Sequence, residues 1–336
     1  MRVAIVAEQL RRATPGGIGT YTRGLLQGLA QLAEAPEVRP WTSRLPGPVA
    51  TRVWNRGWGD GPRRVDVVHA PSLAFPPTSA PLVVTVHDLA WRAGLGMPAR
   101  GRRWHEASLA RARRAGATLL ASTADVATVL RGEGAADVRL LDGAPYGCDH
   151  LPGPDLAAAD AALNGLGVAG PFVLSVSTLE PRKNLPRLLE AFASARAQLG
   201  PEWRLVVVGP PGWGPGLPEA PGVALAGRQS DAALAGLYAR ATVVAYVPLL
   251  EGFGLPAVEA MRAGAAVVAS PVPSATGVAH AVDPLDVASI AAGLVTVGGD
   301  DGRRRQLVEA GRAHAGALSW AAAARRHRAL WREVVR

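Results

Sequence analysis

Two stretches of the sequence gather the residue types needed to hold a phosphorylated, hydroxyl-bearing ligand. The first runs Pro248-Leu249-Leu250-Glu251-Gly252-Phe253-Gly254-Leu255-Pro256-Ala257-Val258-Glu259-Ala260-Met261. Pro256 fits the first position of a helix, with Leu255 as its cap, so the unpaired backbone N–H groups of that helix start form an anion site. Gly252 and Gly254 let the backbone approach a ligand closely. Glu251, ahead of the helix, and Glu259, in its first turn, offer carboxylates to sugar hydroxyls from two levels. Taken alone, Glu259 reads better as a first-turn acid stabilised by the helix dipole. The second stretch is Leu174-Ser175-Val176-Ser177-Thr178-Leu179-Glu180-Pro181-Arg182-Lys183-Asn184-Leu185. Two adjacent cations, Arg182 and Lys183, at the end of a strand and the start of a helix suit a diphosphate, and they can stabilise the charge that develops as it departs.

Composition singles out one of these cations. Of 36 basic residues, Lys183 is the one lysine and the rest are arginines. Where every other basic position takes a planar guanidinium, a lone ammonium marks a place for a compact point charge. Two weaker sets lie in the first half. Thr14-Pro15-Gly16-Gly17-Ile18-Gly19 is a glycine loop after the first strand, which on its own is also an ordinary turn. Val83-Val84-Thr85-Val86-His87-Asp88 places a histidine at a strand end, where it can bond a hydroxyl with one nitrogen and be oriented through the other, or be a satisfied structural histidine.

These residues need elements to position them. Apolar runs at Val3–Ala7, Val65–His69, Leu82–His87 and Thr118–Ser122 read as strands, with helices over Tyr21–Leu32 and Arg100–Ala115. The chain turns Pro/Gly-rich at Leu151-Pro152-Gly153-Pro154. The same grammar then restarts with strands at Phe172–Ser177, Leu205–Val208, Val223–Ala226, Val243–Val247 and Ala266–Ala269, and helices near 186–198, 231–240, 256–263 and 286–297. Alternating β and α predicts parallel sheets covered on both faces. The fold class is therefore α/β, with two Rossmann-like doubly wound domains at 1–160 and 161–315. An amphipathic helix in 316–336 is expected to pack back on the first domain. In such sheets ligands sit beyond the carboxyl ends of the strands, which is where both stretches fall.

The 336 residues suit two domains, and the lone Cys148 excludes an internal disulfide or a cysteine-built metal site. The N-terminus lacks the form of a secretory signal and no apolar run is long enough to span a bilayer, so a cytoplasmic location is expected. Residues 1–150 hold 19 arginines against 12 acids, while residues 151–336 hold 17 basic residues against 15 acids. The basic first half, with Arg100, Arg102, Arg103, Arg111, Arg113 and Arg114 near one helix, fits either a solvated face or a face that attracts anionic lipid, as a peripheral contact, or a phosphate-bearing substrate. The glycine loop starts too late after its strand, and lacks the acidic ribose partner, for a nicotinamide enzyme.

Glu251 and Glu259 flanking Gly252-Phe253-Gly254-Leu255-Pro256 resemble the E-x7-E motif of family-4 retaining glycosyltransferases. Glu180-Pro181-Arg182-Lys183-Asn184 resembles the same family's R-K-N segment, His87-Asp88-Leu89 its H-D-L segment, and Ser319-Trp320 its closing helix, all in the family's order. Ser177 departs from the glycine usual there. The resemblance implies a GT-B fold, two domains facing a central cleft, and retaining transfer of a hexose from a nucleotide diphosphate sugar without a metal or other cofactor. It implies that Glu251 contacts the sugar, Glu259 the ribose, Arg182 and Lys183 the diphosphate, Gly16 and Gly17 the diphosphate from the other domain, and His87 the sugar near the reaction centre. Gly209 and Arg228 would line the nucleotide pocket, and Gly252, Phe253, Gly254 and Leu255 the donor-binding loop. His69 would belong to a second cleft-facing segment. The H-D-L and R-K-N branch is rich in mannosyltransferases, making GDP-mannose the preferred donor and a glycan or lipid-linked acceptor the partner, with no nucleic acid. A nucleotide-sugar epimerase or a non-catalytic sugar-nucleotide binding subunit would share the fold; the first would act on donor alone, and the second would lack one of the two acids.

Overall fold

The computed structural model describes residues 1–213 and 216–336. The chain divides into two units, Met1–His150 with Leu318–Arg336, and Leu151–Ala317. The first unit contains strands β1 (Arg2–Val6), β2 (Glu37–Trp41), β3 (Val67–Ala70), β4 (Leu82–Val86), β5 (Thr118–Ala121) and β6 (Val138–Arg139), with helices α1 (Gly16–Ala30), α2 (Gly47–Trp54), α3 (Ala99–Arg114) and α4 (Ala124–Gly132). Its sheet is parallel throughout, in the order β2-β1-β3-β4-β5-β6. Every residue of β3, β4 and β5 is buried, as strands covered on both faces require.

The second unit contains α5 (Leu156–Gly165), β7 (Phe172–Val176), α6 (Leu185–Leu199), β8 (Arg204–Val208), β9 (Val223–Gly227), α7 (Asp231–Arg240), β10 (Val243–Tyr246), α8 (Leu255–Ala263), β11 (Val267–Ala269), β12 (His280–Ala281), α9 (Val287–Gly299) and α10 (Asp301–Gly316). Its parallel sheet has the order β12-β11-β10-β7-β8-β9, so the strand order reverses at β7 and β10. The boundary falls at residue 150 rather than 160. Helix α5 belongs to the second unit because it packs on α7, where a Cβ on Gly236 would come within 2.4 Å of the Asp155 carbonyl oxygen.

The last helix, α11 (Trp320–Val334), belongs to the first unit and crosses α1. Trp320 sits in a seat made of glycines: a Cβ on Gly24 would meet its ring at 2.1 Å, and one on Gly28 its carbonyl oxygen at 2.1 Å. Gly24→Ala is therefore expected to destabilise the first unit by about 1–3 kcal/mol through overpacking. Gly17 has open space around its Cβ direction, so Gly17→Ala should leave the melting temperature unchanged. Thermal unfolding of the two variants checks both, and a Gly24→Ala protein as stable as wild type would contradict the packing account.

The glycine segment is not a loop. Helix α1 begins at Gly16, with φ +61°, so Gly16, Gly17 and Gly19 form its first turn. Cys148 is buried, its thiol directed at the Leu318 carbonyl.

Candidate active site

The strongest cluster of polar side chains stands where the strand order of the second sheet reverses, the place where open α/β sheets bind ligands. After β7 the chain runs alongside the segment that follows β8. Ser177 N donates to Val208 O, Leu179 N to Pro210 O, and Leu179 bridges Pro211. A side chain at Gly209 would press within 1.9 Å of the Ser177 carbonyl oxygen, so this close approach of two backbones accounts for the glycine.

Pro181–Lys183 then forms one 3-10 turn that ends on Asn184 in the left-handed region, φ 61°. Asparagine tolerates that conformation better than other non-glycine residues. Its buried amide donates to the carbonyl oxygens of Val247 (3.1 Å) and Pro284 (2.7 Å), and Leu249 N donates to Arg182 O (2.9 Å). The turn after β7 is thus fastened to the segment after β10, and this brings the cations to Glu251.

Glu251 Oε2 accepts hydrogen bonds from Arg182 Nη1 (3.0 Å), Tyr246 Oη (2.7 Å) and Lys183 Nζ. Lys183 Nζ also lies 3.1 Å from Tyr246 Oη. Arg182 Nε donates to Glu180 Oε2 at 3.0 Å. Two cations and two carboxylates make a locally neutral cluster. Burial alone would raise the Glu251 pKa, but Lys183 and Arg182 override it and hold the carboxyl down to about 2. For Glu180 burial prevails over the nearby cations, and its pKa is raised. Burial first, and then the Glu251 charge, push the Tyr246 hydroxyl well above its ordinary value, so it remains a donor.

The next helix differs from expectation. The cap of α8 is Gly254, at φ 96°, not Leu255, which is the first helical residue and is followed by Pro256. A Cβ on Gly254 would meet Ser274 Oγ at 2.8 Å, and that hydroxyl donates to the Gly254 carbonyl at 2.7 Å, which fixes the cap. Glu259 consequently lies beyond the first turn. It is buried and accepts from Tyr238 Oη at 2.9 Å, so its carboxylate is held by α7 as well as carried by α8. Phe253 and Leu255 are also buried, and Gly252 leads into them.

The structure thus joins Arg182, Lys183 and Glu251, with Gly252–Glu259 continuing from them. Arg228 is exposed at the end of edge strand β9, two strands or about 10 Å of sheet from β7. Gly16, Gly17 and His87 stand in the first unit. His87 departs from its expected pose: Nδ1 lies 2.6 Å from Tyr146 Oη and Nε2 2.7 Å from the Pro71 carbonyl oxygen, so both nitrogens already have partners. His69 is fully buried among core residues and does not face solvent. Asp88 caps locally, accepting from Ala90 N at 2.9 Å.

Sequence reading overlooked Tyr246, Glu180 and Asn184. A polar-tipped residue closing the apolar run Val243–Val247, and an acid two positions before Arg182, were the available signals. Among the described residues no His, Cys, Asp or Glu cluster of three or more is placed to hold a metal ion, and no helix is long and apolar enough to cross a membrane.

The architecture is that of the GT-B glycosyltransferases: two six-stranded parallel sheets covered by helices. Residues 164–314 match the family model described as glycosyl transferases group 1, a stretch that lies within the second unit. Over 162 residues the chain is 35% identical to O-antigen chain mannosyltransferase B of Escherichia coli, across 44% of this chain and 42% of that protein. Over 224 residues it is 37% identical to a D-inositol 3-phosphate glycosyltransferase of Segniliparus rotundus, across 60% of this chain and 49% of that protein. The matched segments thus span less than half the length of these relatives. Among solved structures, Anabaena Alr3699/HepE in complex with UDP and glucose aligns over 99% of this chain and 100% of that one, with TM-score 0.71 and 17% identity, which is a likeness of fold.

Proposed function

We propose that the protein is a retaining hexosyltransferase that takes its sugar from a nucleotide diphosphate, with GDP-mannose as the preferred donor, and passes it to a glycan or lipid-linked acceptor. The observation that carries this reading is the convergence of Arg182, Lys183 and Glu251 on the reversal point of the second sheet. The two cations bind the diphosphate and stabilise its charge as the glycosidic bond breaks. Glu251 takes hydroxyls of the transferred sugar, and Glu259 those of the ribose. The mannosyltransferase names of the E. coli relatives favour mannose.

A panel of nucleotide sugars tested for thermal stabilisation checks the donor, because a ligand at 100 times its Kd adds about 2.7 kcal/mol. GDP-mannose is expected to give the largest shift, and no shift from any nucleotide sugar would overturn the reading. Donor incubated alone should yield no epimer. With Arg182 and Lys183 supplying the electrostatics, turnover is expected to persist in chelator; its abolition by EDTA and recovery on adding a divalent cation would contradict this.

Peripheral contact with anionic lipid also belongs to the proposal. Arg100, Arg102, Arg103 and Arg114 of α3 are exposed, and Trp58 is 71% exposed. Arg111 and Arg113 are otherwise engaged: Arg111 stacks 3.4 Å over the Phe75 ring, and Arg113 pairs with Glu133 at 2.7 Å. Vesicle binding that depends on neither anionic lipid nor salt would exclude this contact.

A further inference from the structure

A chain of hydrogen bonds holds α11 in the first unit, and it both starts and ends on that helix. Trp331 Nε1 lies 3.2 Å from His69 Nδ1 on β3, and His69 Nε2 lies 2.8 Å from Thr85 Oγ1 on β4. Thr85 Oγ1 lies 3.2 Å from Tyr21 Oη on α1, and Tyr21 Oη lies 2.6 Å from His327 Nε2. His327 Nδ1 closes the chain 2.7 Å from the Ala323 carbonyl oxygen. All five side chains are buried.

The two ends fix every proton between them. An indole N–H only donates, so His69 Nδ1 accepts and its Nε2 carries the hydrogen given to Thr85. A carbonyl oxygen only accepts, so His327 Nδ1 carries a hydrogen and its Nε2 accepts from Tyr21. The Tyr21 hydrogen being spent there, Thr85 donates to Tyr21. This assignment requires both imidazoles to be neutral. Protonating His69 sets its Nδ1–H against the Trp331 N–H. Protonating His327 turns the Tyr21 bond around, leaves the Thr85 hydroxyl without its acceptor, and buries a charge. The rings stack at 5.5 Å, so two charges would also repel each other.

The groups acting on the two rings are bases. His69 feels His327 and His87, while His327 feels Arg326 and His87. No carboxylate is among them to compensate a positive charge. The Tyr21 phenol, raised well above its ordinary value by burial, remains a neutral donor, and the Tyr21 and Tyr146 rings pack around His87.

We propose that α11 is a proton-operated latch, seated on α1, β3 and β4 while His69 and His327 are neutral and released when they take up protons. Release uncovers the glycine seat of Trp320. Burial, the largest influence, depresses His327 to about 4 and His69 well below its ordinary 6.5. A base with a lower pKa when docked binds fewer protons docked. Docking is therefore strongest above pH 6.5 and weakens as pH falls toward 4, by up to about tenfold per pH unit for each histidine.

Hydrogen exchange of the full chain, corrected for intrinsic rates, tests this between pH 7.5 and 4.5. Peptides covering 320–334 and 16–30 should open at least about tenfold per pH unit below 6.5, while peptides covering 172–176 and 204–208 stay protected. His327→Gln, whose amide oxygen still accepts the Tyr21 hydroxyl but does not titrate, should lose one histidine's share of that slope. Flat protection of α11, loss in step with the second unit, or an unaltered slope in His327→Gln would each overturn the latch. Should that variant not fold, nitrogen NMR of the wild-type imidazoles decides. Nε2–H on His69 and Nδ1–H on His327 at pH 7.5 support the chain, and any other tautomer overturns it.

Discussion

Lys183→Ala is expected to reduce sugar transfer by about 10²–10³-fold, the loss seen when one preorganised charge-stabilising donor is removed from an active site. Circular dichroism should show a folded chain, because Glu251 keeps Arg182 at 3.0 Å and Tyr246 at 2.7 Å, while the melting temperature should fall, because Lys183 is the foremost of the two cations that hold the Glu251 carboxyl down. Lys183→Arg should not restore turnover. The ammonium is placed by contact with both Glu251 and Tyr246 Oη, and a planar guanidinium presents its charge in a different shape. Initial rates with the best donor of the stabilisation panel, alongside calorimetry with its nucleoside diphosphate, measure the two effects. Turnover within about threefold of wild type in Lys183→Ala would remove Lys183 from the site.

The reasons these residues could be read from sequence differ from one residue to the next. The strands that carry the site, β7, β8 and β10, are near-continuous apolar runs, which is how a doubly covered parallel strand must look. Lys183 stood out because it is the chain's one lysine. The edge strand β2 escaped because it is mostly exposed and contains Pro40, and β6 and β12 because two residues carry no periodicity. Helix α10 opens with Asp301-Gly302-Arg303-Arg304-Arg305, whose polar character hides its apolar face.

Within the site, the partners of the charges were harder to read than the charges. That Arg182 and Lys183 are paired with Glu251 depends on Asn184 tying the turn after β7 to the carbonyls of Val247 and Pro284, and contacts across 63 and 100 residues leave no local pattern. His87 shows the converse. Its place at a strand end was plain, whereas the Tyr146 hydroxyl and Pro71 carbonyl that occupy its nitrogens are set by tertiary packing.

Glu251→Gln should separate two roles that the cluster combines. In the wild type this carboxylate is paired with Arg182 and Lys183, and on the proposed function a diphosphate would have to draw the cations away from it. Glutamine removes the charge with little change of shape, so inorganic pyrophosphate is expected to bind about tenfold tighter or more, while transfer is expected to fall below detection because the sugar contact proposed for this carboxylate is lost. The ligand-free variant should also be less stable. A carboxyl held near 2 instead of its ordinary 4.5 contributes about 3 kcal/mol at neutral pH, and because its folded pKa is the lower one, that contribution is present above 4.5 and lost as pH falls toward 2. The stability gap between wild type and Glu251→Gln should therefore be widest at neutral pH and close between pH 4.5 and 2, as read from denaturant unfolding. Should pyrophosphate affinity fall together with turnover, Glu251 would instead be the strut that keeps the two cations in position, and the competition between carboxylate and diphosphate would be refuted.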